Sequence, residues 1–405
     1  MALDANSPAV PTLLREINER RVLDVLRANG ALHAAEIARM VGLSKPTTSV
    51  LLRGLIDVGL VDEDQPGDLD SKRARTVYSA ASNIGISLAI DIGARYLRAA
   101  TADINGLQRS EKSVEVGEMS LKQLLNALNH AVDGALADAG VVQEDILSIV
   151  VGTPGVVDQR TGQIAIAGTI GDLDGIQLGE VINREFGVDP HLENDINLVA
   201  IAELERGIGK GIEDFAVLSI GSGIGAGLVL NGKLHRGHRG AAGEIFYVPF
   251  GDPFDAHHAS TNPASGGLTE LAEQLSSKST KSELVRPFTT IAILDAARRG
   301  DEFARLVVEQ EAERIALYVA SISAVVDVEL IILAGGIGRQ TDVLLNPIRK
   351  MVEKLLPFPP RIEGTSLGES AGLIGALQLA TRKSQEIIFR ERSSSIETQL
   401  SGSQA

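Results

Sequence analysis

The sequence predicts a multi-domain α/β protein with a small helical head and a larger body. Three observations support that class. A chain of 405 residues is long for one domain, and 44% hydrophobic with 22% charged residues is enough to bury two or three cores. The charge is divided unevenly: residues 1–83 carry a net −1, and the remainder carries −14. Beyond residue 84, short apolar runs of strand length alternate with longer stretches of helical periodicity, the pattern of layered α/β structure.

In the head, residues 1–11 are mostly small or polar with two prolines and are expected to fray. Ile17, Val22, Leu23, Val25 and Leu26 then recur at helical spacing, and Asn29-Gly30 stops that helix. Residues 34–41 read as a short helix and Gly42-Leu43 as a turn. Ser44 caps a third helix with Pro46 in its first turn, where a missing N–H costs nothing. Ala38 and Gly42 are small where two helices must cross, and Ile37, Leu43, Val50 and Leu51 are expected on the buried side. This is a helix-turn-helix. Its third helix is expected to present Ser44, Lys45, Thr47, Thr48 and Arg53, hydroxyls and bases suited to phosphates and base edges. Residues 60–63 and 76–79 read as strands around a loop with Lys72, Arg73 and Arg75, which makes a winged helix-turn-helix with a cationic wing. A helical interaction module with a solvated loop is the plainer alternative. The cap, the glycine turn and the basic wing together favour double-stranded DNA, although Asp68 and Asp70 dilute the wing's charge.

Residues 80–84 read as a linker into the body. A buried strand from Ile86 leads to Asp91-Ile92-Gly93-Ala94-Arg95, and a second strand follows at 97–101. Residues 121–139 form an amphipathic helix, 146–151 a strand ending in Thr153-Pro154-Gly155, and 178–186 another helix. Glu193-Asn194-Asp195 then opens a helix. Residues 218–247 hold the most informative stretch: two strands joined by Gly221, Gly223 and Gly225, an Asn231-Gly232 turn, and a second glycine segment closed by Glu244. A strand rather than a helix follows those glycines, so a dinucleotide-binding turn is excluded and a strand-loop-strand cradle remains. A long helix at 302–326, a strand at 330–334 delivering Gly335-Gly336, a helix at 344–356 and a last helix from about 369 complete the body. From Lys383 the chain is rich in Ser, Gln and Glu and is expected to be disordered.

Residues 84–383 resemble the ROK family (repressors, open reading frames, kinases), and with the winged helix in front the chain resembles its regulator branch. The residues that carry this are Asp91-Ile92-Gly93 with Leu97-Arg98, Thr153-Pro154-Gly155, Glu193-Asn194-Asp195-Ile196-Asn197, the run 220–227, Gly243-Glu244-Ile245 and the run 334–338. The resemblance implies an actin-like, sugar-kinase (ribonuclease H-like) body. Its first lobe is 84–196 completed by a helix at about 365–383, its second is 197–364, and a head at 1–83 and a tail at 384–405 flank them. It also implies an effector site at Thr153, Asn194, Asp195, Glu244 and Tyr247, and a vestigial nucleotide site at Asp91, Gly93, Gly221, Gly223, Gly225, Gly335 and Gly336. In family kinases the residue matching Asp195 takes the proton from the attacking hydroxyl and the one matching Asn194 holds sugar hydroxyls. A helix N-cap is the plainer explanation of the pair.

Two departures from the family pattern set further expectations. The family phosphate turn reads Asp-x-Gly-Gly-Thr, whereas Ala94 and Arg95 stand here, so no catalytic role and no ATP turnover are expected. The family zinc site uses Gly-Glu-Ile-Gly-His and a cysteine cluster, whereas this chain has Gly243-Glu244-Ile245-Phe246-Tyr247 and no cysteine, so no metal or other cofactor is expected. His238, His257 and His258, with Asp252 or Asp255, read as solvated rather than as ligands. The implied function is a DNA-binding transcription regulator, a repressor of metabolic genes controlled by a sugar or sugar derivative. It would act as a cytoplasmic homo-oligomer, dimer or tetramer, on a palindromic operator. Two alternatives stand: a regulator sensing a non-sugar such as a sulfur-metabolism intermediate, motivated by Cys 0 and Met 4, and an ATP-dependent sugar kinase. No run of ~18 apolar residues occurs, so no membrane span is expected.

Overall fold

The computed structural model describes residues 11–64, 76–117, 120–158, 160–165, 177–250, 262–276 and 282–402. The head comprises α1 (Pro11–Asn29), β1 (Leu32–His33), α2 (Ala34–Val41), α3 (Lys45–Asp57), β2 (Val61–Asp64) and β3 (Val77–Ala80). Val22, Leu23 and Leu26 of α1 pack on Ile37 and Val41 of α2 and on Leu51, Leu52 and Leu55 of α3. Gly42 ends α2 in the left-handed region (φ 71°), and the Ser44 hydroxyl accepts from the Thr47 N–H, which fixes the turn between the two helices. The three strands pair in the order β1-β3-β2. Two-residue β1 carries no periodicity of its own, and it forms because β3 offers it an edge.

One expectation about α3 is reversed. Val50, expected inside, is 58% exposed, whereas Thr48, expected on the outer face, is fully buried. Thr48, Leu51, Leu52 and Leu55 follow i, i+3, i+4, i+7 spacing, so the helix is phased by α1 and α2 rather than by Val50-Leu51-Leu52, a run that suits either face.

The body's first lobe contains β4 (Ile86–Ile92), β5 (Tyr96–Asp103), β6 (Gln108–Glu115), α4 (Leu121–Ala139), β7 (Ile146–Thr153), β8 (Val156–Val157), β9 (Ile164–Ala165), α5 (Leu178–Phe186) and β10 (Pro190–Asn194). Its main sheet has the order β10-β7-β4-β5-β6, parallel across β10, β7 and β4 and antiparallel beyond. The second lobe repeats the plan. After α6 (Asp195–Glu205) come β11 (Phe215–Ile220), β12 (Ile224–Leu230), β13 (Lys233–His235), α7 (Ser265–Ser276), α8 (Thr290–Arg299) and α9 (Glu302–Val326). Then follow β14 (Leu330–Ala334), α10 (Gly335–Gly338), α11 (Thr341–Leu355), β15 (Arg361–Gly364) and α12 (Ala371–Gly402), with the sheet order β13-β12-β11-β14-β15.

Helix α6 joins the lobes and belongs to both. Leu198 and Ile201 pack with Ala89, Ala100 and Val150 of the first sheet and with Leu373, Ala376 and Leu377 of α12. Ala200 packs instead with Phe215, Val217 and Val229 of the second. A lobe boundary at 196/197 therefore falls inside one helix. The crossing of α6 and α12 is so close that a Cβ on Gly375 would lie 1.9 Å from the Leu198 carbonyl oxygen.

The expected disordered tail is also corrected, because α12 continues to Gly402. The Ser384 hydroxyl is fully buried between those of Ser87 and Ser148, at 2.8 Å from each, and Gln385 donates to the Ile104 carbonyl. Phe389 enters the head core, with the Arg20 guanidinium 4.8 Å over its ring. Composition hid this, since the anchors are one aromatic and small hydroxyls in a polar stretch. The linker is pinned as well: buried Ala81 donates to the Leu60 carbonyl, and Asn105 bridges the Ala81 carbonyl (2.7 Å) to Arg27 of α1 (3.0 Å). No helix among the described residues is long and apolar enough to cross a membrane.

Candidate functional site

Between the lobes lies a cavity of about 400 Å³, walled by the turns after β4 and β7, the β10–α6 junction, the β11–β12 loop, and residues 244–247 and 262–264. Its floor is set by α6. Asn194 is the N-cap: its Oδ1 accepts from the Ile196 and Asn197 N–H groups, and its Nδ2 donates to the Gly155 carbonyl. The capping role therefore holds for Asn194, which lines the cavity and ties the Gly155 turn to the helix. Asp195 has one carboxylate oxygen on the Ile196 N–H. It is partly reached by solvent yet ringed by protein, and burial, with the charges of Asp91 and Glu244, pushes its carboxyl up to about 7.

Glu244 reaches the cavity because of Gly243. The Ala226 N–H donates to the Gly243 carbonyl, extending β12's pairing, and Gly243 (φ 89°) turns the chain inward. A Cβ there would sit 1.8 Å from the Ala226 carbonyl oxygen. Burial raises the Glu244 carboxyl as well. Phe246 and Tyr247 follow as an edge-to-face pair 5.8 Å apart, and both line the cavity.

The glycines of the β11–β12 loop divide into two kinds. Gly221 and Gly223 line the cavity with no close obstruction; a Cβ on Gly221 would meet only the Gly336 nitrogen, at 3.5 Å. Gly225 also lines it, but its missing Cβ makes room for Ile196 of α6, 2.3 Å from the Cβ position. Its glycine requirement is one of packing. Gly93 lines the cavity; Gly335, at φ 80°, is held against the Ile220 carbonyl. Asp91 is buried behind Gly152, and burial pushes its carboxyl up to about 6 against the pull of Arg98 at 3.6 Å. Arg98 also donates to the Glu369 carbonyl oxygen, and Arg339 binds the Glu369 carboxylate at 2.6 Å. Thr153 is corrected as an effector contact: it is fully buried, and its hydroxyl donates to the adjacent Pro154 carbonyl.

Sequence reasoning passed over the group directly behind Asn194. Glu193 is 1% exposed and accepts from Asn197 Nδ2 (2.9 Å), the Asn194 N–H (3.2 Å) and, across the lobes, Arg236 Nε (2.6 Å). Burial alone would raise this carboxyl, and His191, Arg236 and Asn197 hold it below its ordinary range. The only sequence signal was an acid next to Asn-Asp, because its cation lies 43 residues away.

On the head, Ser44, Lys45, Thr47 and Arg53 are exposed, joined by Ser49 and Val50, which the sequence reading did not name as contacts. Thr48 is corrected, being buried with its hydroxyl donating to the Ser44 carbonyl. Lys72, Arg73 and Arg75 lie outside the described residues, as do Asp252, Asp255, His257 and His258. His238 is exposed, and no group of three or more metal-ligating side chains occurs among the described residues.

The ROK family model matches residues 87–383, both lobes and the first part of α12. The chain belongs to the ROK family. A MarR family model matches residues 16–69, so the ROK body carries a MarR-type winged helix and has the build of a ROK transcription regulator. The xylose repressor of Caldicellulosiruptor bescii is 24% identical over 385 residues, covering 91% of this chain and 96% of its own. In fold, the chain is similar to a ROK transcriptional regulator described as a homologue of the Escherichia coli MLC protein. There the TM-score is 0.75 at 20% identity, over 94% of this chain and 98% of that one. A ROK glucokinase from Streptomyces griseus, solved with glucose and AMPPNP, is 25% identical with a TM-score of 0.64, and all of it maps to only 74% of this chain. Head and body together are matched by the regulators.

Proposed function

We propose that this ROK protein represses genes of sugar metabolism and that a sugar-type ligand in the interlobe cleft sets its affinity for DNA. The observation that carries the reading is α12, one helix that packs against the cleft-bearing α6 at its start and enters the head core at Phe389. A ligand that closes the lobes differently can thus alter the head, to the extent that it binds the two closures with different affinity. Ser44, Lys45, Thr47, Ser49, Val50 and Arg53 form the face offered to the major groove, and a two-fold pair of heads would read a palindromic operator. The full-length similarity to a xylose repressor supports the same reading, and with no cysteine in the sequence the effector domain works without the family's zinc cluster.

A kinase reading retains one observation in its favour: Asp195, with its carboxyl near 7, is poised as a general base. Against it, Ala94 and Arg95 replace the glycine and hydroxyl of the family phosphate turn, and Asp91 already faces Arg98. Fluorescence anisotropy on DNA from upstream of the protein's own gene, with and without a panel of sugars, tests the proposal. A sugar that changes the DNA Kd about tenfold or more is expected. DNA binding indifferent to every sugar, together with sugar-dependent ADP release lost in Asp195→Asn, would transfer the chain to the kinases.

A further inference from the structure

Helix α3 of the head carries a large apolar side chain that its packing does not use, and what that side chain can do rests on the DNA-binding reading above and narrows it. The inward face of α3 is complete without Val50, being made by Thr48, Leu51, Leu52 and Leu55. Val50 points the other way and is 58% exposed, the one large apolar side chain of α3 so placed. It stands at the centre of the outer face. Pro46 and Thr47 are exposed one turn before it, Ser49 beside it and Arg53 one turn after, with exposed Lys45 at the start of the helix. The single acid of α3, Asp57, lies two turns further on. Two cations and several hydroxyls around Val50 complement a polyanion rather than the apolar patch of a protein partner.

Val50 also fills a gap in what α3 can read. In the major groove Lys and Arg pair with guanine, Asn and Gln with adenine, and acids with cytosine. Helix α3 has Lys45 and Arg53 but no Asn, Gln or Glu, and the Ser44 and Thr47 hydroxyls already bond to each other in its cap at 2.7 Å. An A·T pair facing this helix offers one further handle, the thymine 5-methyl group, and an exposed aliphatic side chain is a surface for it. We propose that Val50 reads a thymine through its 5-methyl group and so sets the sequence preference at one A·T pair for each bound head. Arg53 is one turn on, about 5–6 Å away between Cβ atoms, so a guanine that it reads lies within about two base steps of that thymine. Covering one methyl group corresponds to about fourfold in Kd.

The test uses the full chain and a duplex that it selects from a random-sequence pool. That duplex is resynthesised with each thymine in turn replaced by uracil, which removes the methyl group and keeps every hydrogen-bonding group. Fluorescence anisotropy is expected to show a position for each head at which uracil weakens binding by the parent protein about fourfold. In Val50→Ala the uracil penalty at that position is expected to fall below about 1.5-fold, with penalties elsewhere unchanged. Val50 faces solvent and alanine is the better helix former, so the variant keeps the fold, and lower salt brings weak binding into range. No uracil penalty at any thymine, or one that survives unchanged in Val50→Ala, overturns the assignment to Val50 and leaves DNA binding standing. A pool from which no sequence is enriched overturns the DNA-binding reading together with it.

Discussion

Two aspartates sit at or just after strand ends of the first lobe, Asp91 at the end of β4 behind the cleft and Asp195 following β10 in the cleft itself, and they live in opposite company. At the β10–α6 end, Asp195 faces open space and the acid Glu244, with Asp91 adding a further negative charge. At the β4–β5 turn, Asp91 is buried against Arg98, which is itself braced by Glu369 in the turn just before α12. Burial raises both carboxyls, but only at Asp91 does a cation from the chain itself offset it. The lesson is that equivalent strand ends of one fold become a receptive site or a closed one according to which partner the neighbouring elements bring.

The largest test of this contrast concerns the glycines that shape each end. Gly243→Ala forces a Cβ into the Ala226 carbonyl at φ 89°, and should cost on the order of 3 kcal/mol in urea denaturation and displace Glu244. Gly221→Ala meets only the Gly336 nitrogen at 3.5 Å and should stay within about 0.5 kcal/mol of the parent. Equal losses would mean that both loops are equally strained. Next comes the acid pair: Asp195→Ala should weaken sugar binding about 100-fold by calorimetry and Asp91→Ala no more than about threefold. A larger loss at Asp91 would bring the β4–β5 end into the ligand site and break the comparison.

The smallest effect is on the pH dependence of stability. Asp195 near 7 and Asp91 near 6 are raised above the ~3.9 of an unfolded aspartate, so the folded state holds their protons more tightly. Their contribution is therefore fully present below pH ~4 and is lost as pH climbs through 6 and 7. Glu311, buried on α9 and pushed up to about 8, acts with the same sign at higher pH. Melting temperature should fall from pH 5 to pH 8, and Asp195→Asn should remove on the order of 1–2 kcal/mol of that loss, mostly between pH 5 and 7. An identical slope in the variant would show that Asp195 keeps an ordinary carboxyl.

Much of this arrangement was legible in the chain. Helix α2 was read to its end residues, and Gly42, Ser44 and Pro46 marked the turn and cap, because a cap is decided by hydrogen bonds within four residues. The β11–β12 hairpin and the Asn231-Gly232 turn that leads from β12 into β13 were equally local; both turn residues have positive φ (52° and 68°). Thr48 and Val50 exchanged faces because a helix with apolar residues on adjacent positions has no single phase until α1 and α2 cover it. Thr153 was misplaced for a related reason: a motif names a turn without saying which of its side chains points out of it.

What the sequence by itself determined, then, was the order of elements, the helix-turn-helix of the head and the glycine loop between two strands, while the two-lobed plan and the acids of the cleft came from the resemblance to the ROK family. The former features depend on caps, turns and strand runs whose energetics are settled between near neighbours. The tertiary structure alone decided that Arg236 reaches Glu193 across the lobes, that Arg98 attends Asp91 while among the described residues no cation attends Asp195, and that Ser384 and Phe389 anchor the first part of a polar tail as helix. Burial and ionisation are properties of everything packed around a group, and most of what surrounds these groups comes from residues tens to hundreds of positions away.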